Sequence, residues 1–232
     1  MSYSSLVDWI SIPEGDFLMG SDRQQDALAH DNEMPQHRLH LPEYLISRTP
    51  VTNAQYQRFV EATHYPTPTH WMNGIIPASK AHHPVVYVSW HAVQAFCAWA
   101  GVRLPSEAEW EKAARGTDGR RYPWGNEAPN NSRCNFDMAV GDTTPVGQYP
   151  KGASPYGCLD MAGNVWEWMN SKSQVYPYKT ADGREELTNN DPRSLRGGAF
   201  NDDKGFVRCA YREAYFPNFG YSSIGFRVGK QL

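Results

Sequence analysis

The stretch Tyr156–Ser171, YGCLDMAGNVWEWMNS, is where the reading of this chain turns. It sets Asp160 and Glu167 seven residues apart, with glycines at 157 and 163 and tryptophans at 166 and 168. The two acids are hard oxygen donors, and Gly163 lets the backbone between them turn its carbonyls inward. Calcium takes about six to eight oxygens from such a mix of carboxylates and carbonyls. The spacing is not that of an EF-hand. The same residues also make a turn whose aspartate caps neighbouring backbone and whose glutamate pairs with an arginine. Taken alone, the residues leave both readings open.

The rest of the chain narrows the class. Its 232 residues suit one large domain or two small ones and suffice for a substantial core. A net charge of −3 and the lack of any long Lys/Arg run argue against a nucleic-acid partner. The longest apolar runs, such as HPVVYVSW, are too short to span a bilayer. The start, MSYSSLVDWISIPEGDF, lacks the basic and apolar blocks of a secretion signal, so cytoplasmic residence without a membrane partner is expected. Cys97, Cys134, Cys158 and Cys209 are scattered singly with no zinc-type spacing, and four free thiols are expected. The histidines of HRLH and AHH lack the helical i,i+4 spacing of a ligand pair and read as surface or capping residues.

Trp, Tyr, Gly and Pro punctuate the sequence every few positions, which implies many turns. Loops in such a chain need something besides ladders and helices to hold them. Ile12–Ser21 reads as an early hairpin arm, and HRLHLPEYLIS carries short strand-like alternation. A helix is predicted after Thr52, where Thr52 and Gln55 form a capping box and Tyr56, Phe59 and Val60 share a face. A second places Val93, Phe96, Cys97 and Ala100 on one side and stops at Gly101. A third, short one starts at the Ser106/Glu109 capping box and stops at Gly116. From Asn135 on, TTPVGQYP, the opening stretch, RSLRGGAF, FVRCAYRE and IGFRVGK read as loops and short strands. Helices early and strands late make an α+β chain with a high loop content, and 1–232 reads as a single domain.

The ordered words IPEGDFLMGS, PVTNAQYQRF, PVVYVSWHAVQAFCAWAG, RLPSEAEWEKAARG, YPWGN, TTPVG, DMAGNVWEW, RGGAF and GFRV resemble the formylglycine-generating-enzyme (sulfatase-modifying factor) family and cover nearly the whole chain. The resemblance implies a variant of the C-type lectin fold. It implies structural calcium held by the Asp160 and Glu167 side chains and the Gly163 and Val165 carbonyls. A second calcium site would use Asn135 and the Phe136 carbonyl. The family oxidase works through a closely spaced cysteine pair that binds copper after the GG motif, since soft Cu(I) needs thiolates. Here RGGAFNDDKGFVRCAYR holds no cysteine between Gly198 and Cys209, so no copper is expected. The family disulfide partners of Cys209 and Cys97 fall at Ala114 and Val228, so neither bridge can form. Other members use non-haem iron bound by histidines of an added helical domain, which is not visible in these residues. An oxidoreductase with a different metal site, lined by Asp142, Asp202, Asp203 and histidines, is the rival reading.

The leading reading is a non-catalytic binding module for a protein or other macromolecular ligand. Arg212–Val228 is dense in Tyr, Phe, Ser, Gly and Asn, the composition of rigid yet adaptable binding surfaces. The expected contact residues are Phe200, Asn201, Asp202, Asp203 and Phe206, with Ala214, Tyr215, Phe216, Asn218, Phe219, Gly220, Tyr221, Ser222 and Ser223. The bland alternative packs these aromatics inward beside the terminal strand. The resemblance extends to variable proteins diversified by retroelements, which use this fold and vary between the GG motif and a terminal GFR. All fourteen residues belong to the set reachable from mutated Asn codons, whereas Lys204 and Glu213 do not and would be fixed.

Overall fold

The structure is a computed structural model that describes residues 7–188 and 190–232. Strand β1 (Trp9–Ile12) pairs antiparallel with β4 (Tyr44–Ser47), and β4 in turn pairs with the last strand, β9 (Gly229–Gln231), so the two chain ends share a sheet. Strand β2 (Gly15–Met19) pairs with β3 (His37–Leu41) across a long polar loop. The early hairpin arm thus finds its partner in the HRLHL segment, not in its immediate neighbour. A third sheet runs β7 (Arg212–Tyr215), β6 (Arg193–Arg196), β5 (Trp166–Lys172), β8 (Ile224–Gly225), with β5 and β8 parallel and the other pairs antiparallel.

The three helices form where local signals place them. In α1 (Asn53–Thr63) Thr52 Oγ1 accepts from the Gln55 amide while Gln55 Oε1 accepts from the Thr52 amide. Helix α2 (Trp90–Ala100) ends on Gly101 at φ 67°, a left-handed cap that glycine reaches without strain. Helix α3 (Glu107–Arg115) carries the Ser106/Glu109 capping box and stops at Gly116. TTPVGQYP makes no strand. Its amides go to side chains and distant carbonyls instead, as when Thr144 donates to Asn164 Oδ1 and Val146 to the His82 carbonyl.

Two large apolar clusters fill the interior, beside a small third one of Tyr122, Cys134, Ala162 and Val207. One joins Tyr56, Phe59, Phe96 and Phe226, with Tyr56 and Phe96 stacked at 5.6 Å. The other sets Trp110 of α3 against Phe17, Met19 and Met169. Cys97 lies in the first cluster with Val228, and Cys209 in the second with Ala114, so apolar contact stands where the family resemblance places disulfides. All four cysteines are buried and free, and burial pushes the thiols of Cys97, Cys134 and Cys209 up to about 12. Such thiols are inert.

What pins the loops is a set of buried guanidinium groups. Arg196, fully buried, binds Glu107 and Glu111, the Tyr176 hydroxyl, and the carbonyls of Cys209 and Tyr211. Arg212 pairs with Glu107 while donating to the Asn32 and Gln174 carbonyls. Arg208 joins Glu33 and Asp26 to the Leu28 and Gly205 carbonyls. Each arginine spends part of its fork on a carboxylate and the rest on loop carbonyls that have no ladder partner, meeting the demand that buried polar groups be satisfied.

Candidate functional site

The opening stretch shows the same device. Val165 and Asn164 form a tight turn into β5, with Asn164 in the left-handed region at φ 65°. Asp160 is also left-handed, and its Oδ2 accepts from the Gly147 amide at 2.6 Å. Glu167 takes both oxygens to Arg227, at 2.6 and 2.8 Å, and also accepts from the Trp110 indole at 2.8 Å. The remaining Arg227 donors go to the carbonyls of Ser47, Arg48, Leu159 and Asp160.

An inward-turned shell of oxygens therefore exists, but its centre is a guanidinium that the chain itself supplies. The Gly163 carbonyl accepts from the Val165 amide. Glu167 is charge-paired with Arg227 and the Gly163 carbonyl is engaged within the chain, so a divalent ion here would share these oxygens with the guanidinium. It is the capping and ion-pair reading that the geometry realises at Asp160 and Glu167. Asp160 has no such ion pair; burial pushes its carboxyl up to about 6, against the Gly147 amide. Of the second expected set, Asn135 keeps Oδ1 buried without a partner, while the Phe136 carbonyl accepts from the Ala139 amide. A lone buried oxygen suits a water or a cation equally. Among the described residues no group of three or more His, Cys, Asp or Glu side chains gathers so as to hold a metal ion.

The two loops singled out for binding come together on one face of the β7-β6-β5-β8 sheet. Alternation along β6 and β7 decides which side chains reach that face. Arg196 and Arg212 turn to the acids of α3, so their neighbours Leu195 and Glu213, which are cross-strand partners, turn the other way. Trp166 and Ile224, partners in the parallel pair, complete the floor. Over it fold Asn201, Asp202 and Phe206 from one loop and Tyr221, Ser222 and Ser223 from the other, with Tyr215 at the strand end. They enclose a cavity of about 290 Å3.

The rings at its rim point outward. Tyr215 and Tyr221 are each 40% exposed and meet edge to face at 5.0 Å; Phe216 and Phe219, which do not line the cavity, are 58% and 57% exposed. Asp202 Oδ2 accepts from the Ala199 amide, and burial raises its carboxyl above its ordinary value against that bond and one from the Trp166 side chain. Glu213 Oε2 lies 3.4 Å from the Tyr211 hydroxyl.

Several expected contact residues fall elsewhere. Phe200 is half-buried, and its carbonyl ties down the Met138 amide. Asp203 borders a separate cavity of about 380 Å3 with Asp137 and Lys204. Ala214 lies on the opposite side of β7, paired with Ser194. Gly220 is a packing residue, since a Cβ there would lie 2.5 Å from the Tyr87 carbonyl carbon. Its membership of the variable set is therefore at odds with the space available. Asp142 is bound to Lys80 and Thr143, away from Asp202. Trp166, Leu195, Glu213 and Ile224 belong to the site yet escaped notice, because strand pairing alone carries them there. A larger cavity of about 530 Å3 near Gln94, Arg103 and Tyr178 is lined by none of the expected residues.

A loop-rich α+β domain with small sheets, closed where its first and last strands flank β4 in one sheet, defines the C-type lectin-like class. Within that class the chain belongs to the sulfatase-modifying factor enzyme 1-like domain family, whose model matches residues 2–232. It is 32% identical to a formylglycine-generating enzyme of Thermomonospora curvata, covering 94% of this chain and 91% of that protein. It is 33% identical to a hercynine oxygenase of Mycolicibacterium smegmatis over 90% of this chain, but spans only 58% of that longer protein. Treponema denticola variable protein 1 superposes with a TM-score of 0.74 over 97% of this chain and 95% of that one at 20% identity, a likeness of fold. Among the described residues no helix is long and apolar enough to cross a membrane.

Proposed function

We propose that this chain is a non-catalytic binding module that holds a protein ligand on the surface formed by the 200–206 and 215–223 loops. The observation that carries the proposal is the pair of exposed rings Tyr215 and Tyr221 lining a formed pocket, with Phe216 and Phe219 also exposed in the loop that joins them. Exposed aromatic clusters of this kind are uncommon on surfaces that bind nothing and supply rigid contact area at small entropic cost. The surface also serves as the one varied by retroelement copying, with Gly220 held constant by its packing. A near-duplicate of the last part of the gene beside a reverse transcriptase is the expected genomic mark, and its absence would remove the diversification part alone.

Photo-crosslinking tests the binding itself. A crosslinking residue at Phe219 should trap a defined partner in cells, whereas one at Val175, 86% exposed and remote in sequence, should not. Identical products from both positions would refute the reading. The alternative, an oxidoreductase, draws support from the identity to the hercynine oxygenase and the formylglycine-generating enzyme. Stoichiometric iron or copper in the purified protein, with loss of that metal on Asp202→Ala, would favour it.

A further inference from the structure

The pocket between the two loops has a chemistry more specific than its exposed rim. Its lining carries two carboxylates, Asp202 and Glu213, and no basic side chain. The nearby cations are committed elsewhere: Arg212, although next to Glu213, faces the other side of β7 and is bound to Glu107. Lys204, on the same loop as Asp202, borders the separate cavity beside Asp203. Around the carboxylates stand the rings of Trp166, Phe206, Tyr215 and Tyr221. The Tyr215 and Tyr221 rings meet edge to face, so the pair offers a ring face and not only edges. Aromatic faces attract cations through their quadrupole, and a partly desolvated carboxylate at the end of such a box adds charge complementarity.

Size restricts the guest further. About 290 Å3 lies at the lower limit of the roughly 300–1,000 Å3 typical of small-molecule sites and suits one side chain. Phe216 and Phe219, exposed in the loop between Tyr215 and Tyr221, offer further apolar area to the chain that carries it.

We infer that this pocket seats the protonated side chain of a lysine or arginine presented by the protein partner, with Asp202 and Glu213 as its counter-charges and Tyr215 and Tyr221 as its aromatic walls. The inference rests on the binding-module reading and gives its central contact. An anionic or purely apolar anchor does not match two carboxylates with no compensating cation. The ion pair is partly open to solvent, so its strength falls with added salt.

The test is a random-peptide display library panned on the intact protein and, in parallel, on the Asp202→Asn/Glu213→Gln variant. Asparagine keeps an oxygen to accept the Ala199 amide but weakens acceptance from the Trp166 side chain, so a thermal melt checks that the variant is folded; Glu213 is exposed, and Glu213→Gln alone provides a milder second case. Peptides selected on the parent should share a lysine or arginine that neither norleucine nor citrulline replaces, and should bind the double variant about tenfold more weakly. Selected peptides without a shared cation, or with equal affinity for parent and variant, would overturn the inference while leaving the binding surface intact. Selected peptides that still bind after Phe219→Ala and Tyr221→Ala, or selection of none at all, would instead strike the binding-module reading.

Discussion

Arg227→Leu is the substitution that most directly tests how this fold is held together. Its guanidinium is fully buried and makes six hydrogen bonds, two to Glu167 and four to backbone carbonyls of the 47–48 and 159–160 segments. Leucine would strand the Glu167 carboxylate beside Trp110 with no cation. Removing one partner of a buried pair costs about 3–5 kcal/mol, and the orphaned carbonyls add about 1–3 kcal/mol for each that water does not reach. Against a total stability of about 5–15 kcal/mol, the variant should be barely folded or unfolded. Arg227→Lys keeps the charge but loses the fork, so it should remain folded and measurably weaker. Glu167→Gln added to Arg227→Leu removes the stranded charge and should restore about 1–3 kcal/mol, a coupling that urea melts followed by tryptophan fluorescence would resolve. The reasoning fails if Arg227→Leu lies within about 1 kcal/mol of the parent, or if the two substitutions are simply additive.

Three other outcomes follow from the same geometry. The Asp160 carboxyl, raised from its ordinary 3.8 to about 6, holds its proton more tightly folded than unfolded, so its contribution is present below pH 4 and is lost as pH rises through 6. That loss is about 3 kcal/mol at about 1.4 kcal/mol per unit. Asp160→Asn should therefore be stabilising at pH 7 and near neutral at pH 4 in chelator; a calcium-dependent gain in the parent that this substitution abolishes would place an ion at Asp160 despite Arg227. Gly220→Ala should cost about 1–3 kcal/mol by overpacking, because the atoms it meets, the Tyr87 carbonyl carbon and the Val88 nitrogen at 2.5 and 2.7 Å, are backbone and cannot swing aside. An unchanged melt would refute the close approach. Finally, none of the four buried thiols should react with an alkylating reagent in the native protein and all four should react in denaturant; rapid native labelling of any one would contradict its burial.

The helices were legible in the sequence because their signals are local. Thr52 with Gln55, Ser106 with Glu109, and Gly101 each act within a turn of the residues they cap. The strands were legible only in outline, since the pairing of all of them, and the extent of short pieces such as β7 and β8, is set by partners far away in the chain. The site divides along the same line. Its roof was visible as composition, a run of Tyr, Phe, Ser and Asn, whereas its floor of Trp166, Leu195, Glu213 and Ile224 depends on register. The opening stretch was legible as a gathering of oxygens, with an arginine partner for Glu167 as one of two readings, but not which arginine, because Arg227 lies sixty residues beyond Glu167.

That last gap bears on how one scaffold can tolerate change at its surface. In a sheet-dominated domain a loop is fixed by its own outer side chains and the ladders it joins. Here the loops are fixed from inside: Arg208 holds the carbonyl of Gly205, Arg196 those of Cys209 and Tyr211, and Arg227 those of Leu159 and Asp160. The 215–223 loop is held through its backbone too, the Trp90, Tyr87 and Trp166 amides donating to the carbonyls of Pro217, Tyr221 and Ser223. Backbone carbonyls are the same for every residue type, so these bonds do not depend on what Asn201, Phe216, Asn218, Phe219 or Ser222 carry outward. Gly220 shows where the independence stops, since a Cβ there would meet the backbone of Tyr87 and Val88. A surface can be free to change to the extent that its backbone is held by groups blind to its side chains, and buried amide and guanidinium donors meet that condition where apolar packing would not.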